Sequence, residues 1–271
     1  MKLTLARLAI TLALLAVALA GCPSGLEEQS HISKLRVLGV IADPAELVID
    51  PDAGPLPSTT LTGITVLPDG GSTQTRFALC TLIAPDPPPD LDCPGDAGID
   101  LPATGPNQAR LDLNDPRLIA FATGQGGSAA LLDQGIPLII GFKATAGAEV
   151  LRGFDSVNLR STKNGPADLN PQLTDLQVGD GGVPQPDGAT ARLQPITGAK
   201  DDPTKKYLFS FYATAGSISS LHSTDVTSTG QAAETWVDWN TPASQQTTQL
   251  WVTLRDGRGG VAFVSKTVAT K

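Results

Sequence analysis

The feature that most constrains this chain is how often its apolar runs are cut. Beyond residue 21 the runs of Val, Leu, Ile and Phe are short, and most end at Gly, Pro or Asp. The 271 residues include 28 Gly and 22 Pro. No later stretch keeps apolar residues at helical spacing over several turns. Short runs bounded by turn residues are the mark of strands, and many in succession make an all-β chain. The clearest case lies near the end, where 249–255 and 261–268 flank Asp256-Gly257-Arg258-Gly259-Gly260, a strong hairpin connection.

Further strands are expected at 34–42, 61–67, 75–79, 109–113 and, more weakly, 118–122. The first is stopped by Asp43-Pro44, because proline cannot donate to a ladder. In 61–67 neither face is cleanly polar. A hairpin is expected at 137–143 and 149–159, around Thr145-Ala146-Gly147-Ala148, and 82–108 is a Pro/Asp/Gly-rich loop. Asn164-Gly165-Pro166 ends this unit. The second unit holds strands at 173–178, 191–196, 206–214 and 234–239 before the final hairpin. In 206–214, Tyr207, Phe209 and Phe211 share one face, with Leu208, Ser210 and Tyr212 on the other. Each half opens on a strand, carries a Phe-containing strand in its middle and closes on a hairpin, the outline of a duplicated sandwich of ~100 residues. The final hairpin, from Trp251 to Val264, resembles the last strand pair of immunoglobulin-like and cadherin-like repeats in bacterial surface proteins. The expected fold is therefore two antiparallel immunoglobulin-like β-sandwich domains in tandem, at 34–164 and 165–271.

The first 21 residues are excluded from the fold. Lys2 and Arg7 make a positive start, and 8–20 is apolar apart from Thr11. That run is shorter than the ~20 residues needed to span a bilayer, and it ends in small residues, as a secretory signal does. Leu19-Ala20-Gly21-Cys22 then follows. Here the segment resembles a bacterial lipoprotein signal, matching the lipobox at all four positions. The resemblance implies cleavage before Cys22, a thioether-linked diacylglycerol on its sulfur and an acyl chain such as palmitate on its new amino group. Two or more chains give stable anchoring, at ~0.8 kcal/mol per buried methylene. It also implies a cell-envelope address, with the outer membrane favoured because Pro23, not Asp, follows the cysteine. Residues 22–33 then form a polar tether with His31 near its end.

Lipidation of Cys22 leaves Cys80 and Cys93, and in an oxidising compartment the expected state is a disulfide. Closing that short loop contributes ~3 kcal/mol on the chain-entropy model. The net charge of −8 is spread evenly, which argues against nucleic acid as a partner. No other cofactor is implied. Closely spaced acidic pairs (Asp50/Asp52, Asp90/Asp92, Asp201/Asp202) match no calcium loop, and turn chemistry explains Asp beside Gly and Pro. Asp155, Asp168 and Asp175 mark the junction where cadherin-like repeats would hold calcium; no metal site is assigned.

No nucleophile elbow or phosphate loop is present, and the two histidines, His31 and His222, lie in the tether and in a Ser/Thr-rich segment. The chain is read as non-enzymatic. Its surface interest lies in Trp236, Trp239 and Trp251. Alternation gives Leu250, Val252 and Leu254 the buried face of their strand, so Trp251 points the other way, either outward or beneath a loop or the first domain. Exposed flat aromatics stack on sugars or anchor proteins. The expected function is a lipid-anchored interaction or structural module held to the membrane by its acyl chains. The alternatives are a carbohydrate-binding or adhesion module using those tryptophans, with a glycan or protein ligand, and an accessory subunit of an export or assembly complex.

Overall fold

The computed structural model describes residues 29–271 apart from 51–55, 81–92, 94–97, 119–131, 134, 181–183 and 185–188. The signal, Cys22, Asp52, Asp90 and Asp92 lie outside the described residues.

The first half runs through Arg36–Asp43 (β1), Glu46–Ile49 (β2), Ser58–Val66 (β3), Gln74–Leu79 (β4), Ile99–Asp100 (β5), Ala103–Gly105 (β6), Gln108–Asp112 (β7), Ile136–Ala146 (β8) and Glu149–Ser161 (β9). These form two sheets, β1-β3-β7-β6 and β2-β9-β8-β4-β5. The ladder of β1 ends at Asp43, before Pro44, as the proline requires, and the Asp43–Pro44 peptide is cis. The chain then changes sheet, and β2 runs parallel to β9, the one departure from an antiparallel scheme among these paired strands. Leu47, Leu61, Phe77, Leu111, Ile140 and Val157 fill the space between the sheets.

The second half runs through Leu173–Val178 (β10), Thr190–Thr197 (β11), Leu208–Ala213 (β12), Ser217–Ile218 (β13), His222–Thr224 (β14), Val237–Asn240 (β15), Thr247–Arg255 (β16) and Val261–Ala269 (β17). Its sheets are β10-β11-β15-β13 and β14-β12-β16-β17. Tyr207, Phe209 and Phe211 enter its core with Leu250, Val252 and Leu254, as their alternation requires. Each half is thus a pair of facing sheets with crossover connections, the arrangement of immunoglobulin-like sandwiches.

A third apolar cluster joins the halves. Leu38, Ile64 and Val66 from the first sandwich meet Trp251 and Val261 from the second, and Ile32 completes the group. This explains the unpatterned faces of β3: Leu61 points into the first core, while Ile64 and Val66 point into the junction. The same division occurs in β1, where the register shifts between Val37 and Gly39. Leu38 then serves the junction, and Val40 and Ala42 the core.

Two expectations need correction. Residues 116–118 are helical, not extended, and Leu118 is buried in the first core; 119–122 lie outside the described residues. The end of the tether is not solvated. Ser30 and Ile32 are buried, and His31 pairs in parallel with Ala213. Ile32 N donates to Ala213 O (2.8 Å) and Ala213 N donates to Ser30 O (2.9 Å), so this segment lies along β12 before entering β1.

Candidate functional site

The three tryptophans do not form a patch. Trp239 is in the second core, its Nε1 donating to Ala215 O at 3.0 Å. The backbone passes so close that a Cβ at Gly216 would lie 2.5 Å from that nitrogen. Trp251 points away from Leu250 and Val252, as alternation requires, but the first sandwich and Ile32 cover it, leaving it 6% exposed. Only Trp236 is partly accessible, with the Arg192 guanidinium 4.1 Å from its ring centroid. The reading of Trp239 and Trp251 as exposed ligand-stacking aromatics is therefore corrected: one fills a core and the other a domain junction.

The disulfide between Cys80 and Cys93 is formed. His222 faces Ser210 across β14 and β12, with Ser210 Oγ 2.9 Å from Nδ1. Because Ser210 is buried, this is a cross-strand bond and not a nucleophile presented to a substrate.

The junction is rich in charge, and its charges are matched. The turn after β16 folds around Asp256, whose Oδ1 accepts from Arg258 N and Gly260 N, both at 2.9 Å. Gly257 and Gly259 have positive φ (75° and 102°), and a Cβ at Gly260 would strike Asp256 Oδ2 at 2.4 Å. The turn therefore needs its glycines, and it presents Asp256 Oδ2 to Lys205 Nζ at 3.0 Å. Lys205 and Asp256 are both at most 2% exposed. Asp201 (3.1 Å) and Asp168 (3.6 Å) complete the ring around the ammonium. Burial opposes the charge on Lys205, but the carboxylates outweigh it and hold its pKa above the ordinary value. Thus Asp168, Asp201 and Asp256 converge on a side-chain cation. Asp155 and Asp175 go elsewhere: burial pushes the Asp155 carboxyl up, and Asp175 pairs with Lys266 at 3.1 Å.

A second charged knot fixes the linker. Glu46 accepts from Arg160 Nε (3.0 Å), Asn158 Nδ2 (3.1 Å) and Asp168 N (3.1 Å). Burial pushes its carboxyl up, yet the guanidinium and the two other donors win and hold it below its usual value. Arg160 Nη1 also donates to Gly165 O at 3.0 Å. Arg255 Nη2 reaches into the first sandwich to donate to Leu38 O (3.0 Å), passing where a Cβ at Gly39 would stand. Asn170 bridges both halves, donating to Ala42 O (2.7 Å) and accepting from Val261 N (2.9 Å).

The outward face of the β9-β8-β4 strands is different. Register places Arg76 opposite Lys143, and Lys143 opposite Arg152, in one row across three strands. Thr75 and Phe77 on β4, and Ala144 on β8, are buried on the inner side, so this row faces out. The next row is Asp100, Ala78, Gly141 and Phe154. Its centre is covered by the disulfide: Gly141 is buried, and a Cβ there would lie 2.8 Å from Cys80 Sγ and 3.3 Å from Cys93 Sγ. Phe154 is 47% exposed, and Val150, four residues away on the same face, is 54% exposed. Arg76, Lys143, Ala78 and Asp100 of these rows, but not Arg152 or Phe154, border an open cleft of about 640 Å³ that also takes in Gln74, Thr145 and Cys93. Sequence reasoning missed this face entirely. Its signal was there in part: the turn at Gly147 and Ala148 already pairs residue 143 with 152.

No protein-family model matches the chain, nor does any curated protein. Solved structures with similar features include the fibronectin(III)-like modules of Clostridium thermocellum CbhA (10% identity, 88% of this chain and 94% of that one, TM-score 0.29). The D00-D0 domain of intimin matches at 9% identity over 86% of this chain and all of that one (100%), TM-score 0.29. Domains 4 and 5 of the S-layer protein SbsC match at 13% identity over 89% and 98%, TM-score 0.21. Likeness this weak assigns neither a family nor a function.

Proposed function

We propose that this chain is a non-enzymatic interaction module of the bacterial cell envelope, anchored through lipid on Cys22 and facing its ligand with a preformed sheet surface. The observation that carries this is the outward face of the first sandwich, where Phe154 and Val150 stand exposed on one strand and Arg76 stands opposite Lys143. Like charges directly opposite on a sheet are destabilising, and exposed apolar side chains grouped on one face mark interaction surfaces. The two sandwiches form the rigid support: Trp251, Lys205 and Glu46 join them with apolar, ionic and linker contacts. The anchor rests on Leu19-Ala20-Gly21-Cys22, and Pro23 favours the outer membrane.

The anchor is tested by Cys22→Ser, which should move the mature protein from the membrane pellet to the soluble fraction. A variant that still pellets after a salt wash ends the lipoprotein reading. The interaction role is tested by crosslinking on intact cells, where the wild type should capture envelope material that the same chain with its outward face altered does not.

A further inference from the structure

We infer that the flank of the second sandwich at 214–233 is the surface that lies against the lipid headgroups of the anchoring membrane. The inference rests on the reading of Cys22 as the anchor, and it names the face that the anchored protein turns towards its bilayer.

The first support is the place where the tether meets the fold. Along one edge of β12, Phe211 N donates to Leu221 O and Ala213 N to Ser30 O, both at 2.9 Å. Ser30 thus follows Leu221 on that edge, and the tether joins the fold beside the stretch 219–221. Cys22 is at most ~25 Å from Gln29 along the chain. This flank is therefore the part of the second sandwich held close to the acyl chains. The flank across the sandwich is formed by β10 and β17, where Lys266 Nζ donates to Leu176 O at 2.7 Å.

The second support is charge. Removing Lys2 and Arg7 with the signal takes the net charge from −8 to −10. The chain is 17% charged, yet between Tyr207 and Ala233 the one Asp, Glu, Lys or Arg is Asp225. Asp225 pairs with Lys200 and accepts from Tyr207 N at 2.9 Å, so this flank is neutral. The acidic groups lie elsewhere: Asp168, Asp201 and Asp202 at the linker end, Asp175 on β10, and Asp180 and Asp187 in the segment that follows it. An anionic leaflet repels acidic groups over a Debye length of ~10 Å at 0.1 M salt. A protein kept this close turns its neutral flank inward. Lys34 and Arg36, the first charges after the docked segment, are cations, and Glu27 and Glu28 stand at the end of the tether away from Cys22.

The third support is the chemistry of the surface. Ser217, Ser219, Ser220, Thr224, Ser228 and Thr229 are exposed, whereas Ile218 is buried. Such a surface rests on headgroups and does not enter the hydrocarbon. Ser219 Oγ accepts from Asp238 N (3.0 Å), which leaves its proton for a phosphate oxygen. Ser220 Oγ and Thr224 Oγ1 donate to His222 O and Val226 O, both at 2.8 Å, and so present lone pairs to an ammonium headgroup. Donors and acceptors side by side suit a layer of phosphates and ammonium groups.

The test reconstitutes the lipid-modified full chain in vesicles of phosphatidylethanolamine and phosphatidylglycerol that carry a nitroxide on the headgroup. A fluorophore is attached at Gln231→Cys on this flank or at Gln177→Cys on β10; both positions are exposed. Cys80 and Cys93 are bonded to each other and Cys22 carries its lipid, so the new thiol alone reacts. The label at 231 should be quenched more strongly than the label at 177. Adding Ser228→Glu/Thr229→Glu should lower the flank-down population about tenfold, as two acids beside an anionic leaflet would, and high salt should restore it. Each variant should melt with the wild type, which separates lost orientation from lost folding. Equal or stronger quenching at 177, or an acidic variant quenched like its parent, overturns the inference. A wild type that does not float with the vesicles ends the anchor reading and this inference with it. One that floats but is quenched equally at both positions ends the inference alone.

Discussion

Charged residues crowd together in two parts of this molecule, and the two parts treat them in opposite ways. At the domain junction Lys205 is enclosed by Asp168, Asp201 and Asp256, and Arg160 by Glu46 and linker carbonyls. On the outward face of the first sandwich, Arg76, Lys143 and Arg152 have one another as register partners. The first arrangement holds two domains in one orientation. The second sets Arg76 against Lys143, a pairing of like charges that costs the folded protein a little.

The largest effect should come from breaking the match. Lys205→Met strands Asp256 among buried groups and should cost about 4 kcal/mol, the scale of a buried ion pair with one partner removed. Urea denaturation measures it; an unchanged midpoint would mean that the ring around Lys205 contributes nothing. Trp251→Ala should cost about 3 kcal/mol, as a large-to-small change in a packed cluster does. It should also split a single calorimetric transition into two, because the junction cluster would no longer couple the sandwiches.

Acid should act next, and selectively on the junction. The Glu46 carboxyl is held below its usual 4.5, so its stabilisation is present above that value and is lost as pH falls through the lower folded value. Asp202, drawn down to about 2 by the backbone and side chain of Thr204 and by Arg258, should remain charged longest. Asp155 has the opposite sign: its raised carboxyl favours the fold at low pH and loses that contribution as pH rises through the folded value. Glu46→Gln should therefore flatten the acid limb of a melting-temperature profile, and Asp155→Asn should not. The smallest effect is on the outward face, where Arg76→Ser/Lys143→Ser should raise stability by no more than about 0.5 kcal/mol. A loss of stability there would remove the contrast between the two regions.

Much of the fold was legible because strand alternation is local. It placed Phe209 and Phe211 in one core and turned Trp251 away from Leu250 and Val252 without any knowledge of neighbours. What covers Trp251 was not legible, since Leu38 and Ile64 lie some 200 residues earlier in the chain and meet it only through tertiary packing. The strands at 99–100, 103–105, 217–218 and 222–224 are too short to show a period. Lys205 sits in Asp201-Asp202-Pro203-Thr204-Lys205, a polar stretch that reads as solvated loop. It is buried because the hairpin turn supplies Asp256 from beyond β16. The pairing of Lys143 with Arg152 follows from their hairpin, but the addition of Arg76 depends on how β4 meets β8, a long-range register that composition does not reveal.

The docked segment at Ser30–Ile32 has a mechanical consequence. From Cys22 to Gln29 the chain reaches at most ~25 Å when fully extended, so a pull applied at Cys22 would be delivered quickly to the pairing with β12. That pairing is parallel, with bonds from Ile32 N and to Ser30 O on either side of Ala213. A load along the strand therefore strains both bonds together in shear instead of opening them one after the other, and Ile32 must also leave its apolar seat. Tension applied at Cys22 would thus be shared at once by the second sandwich, and the first would be shielded from part of it.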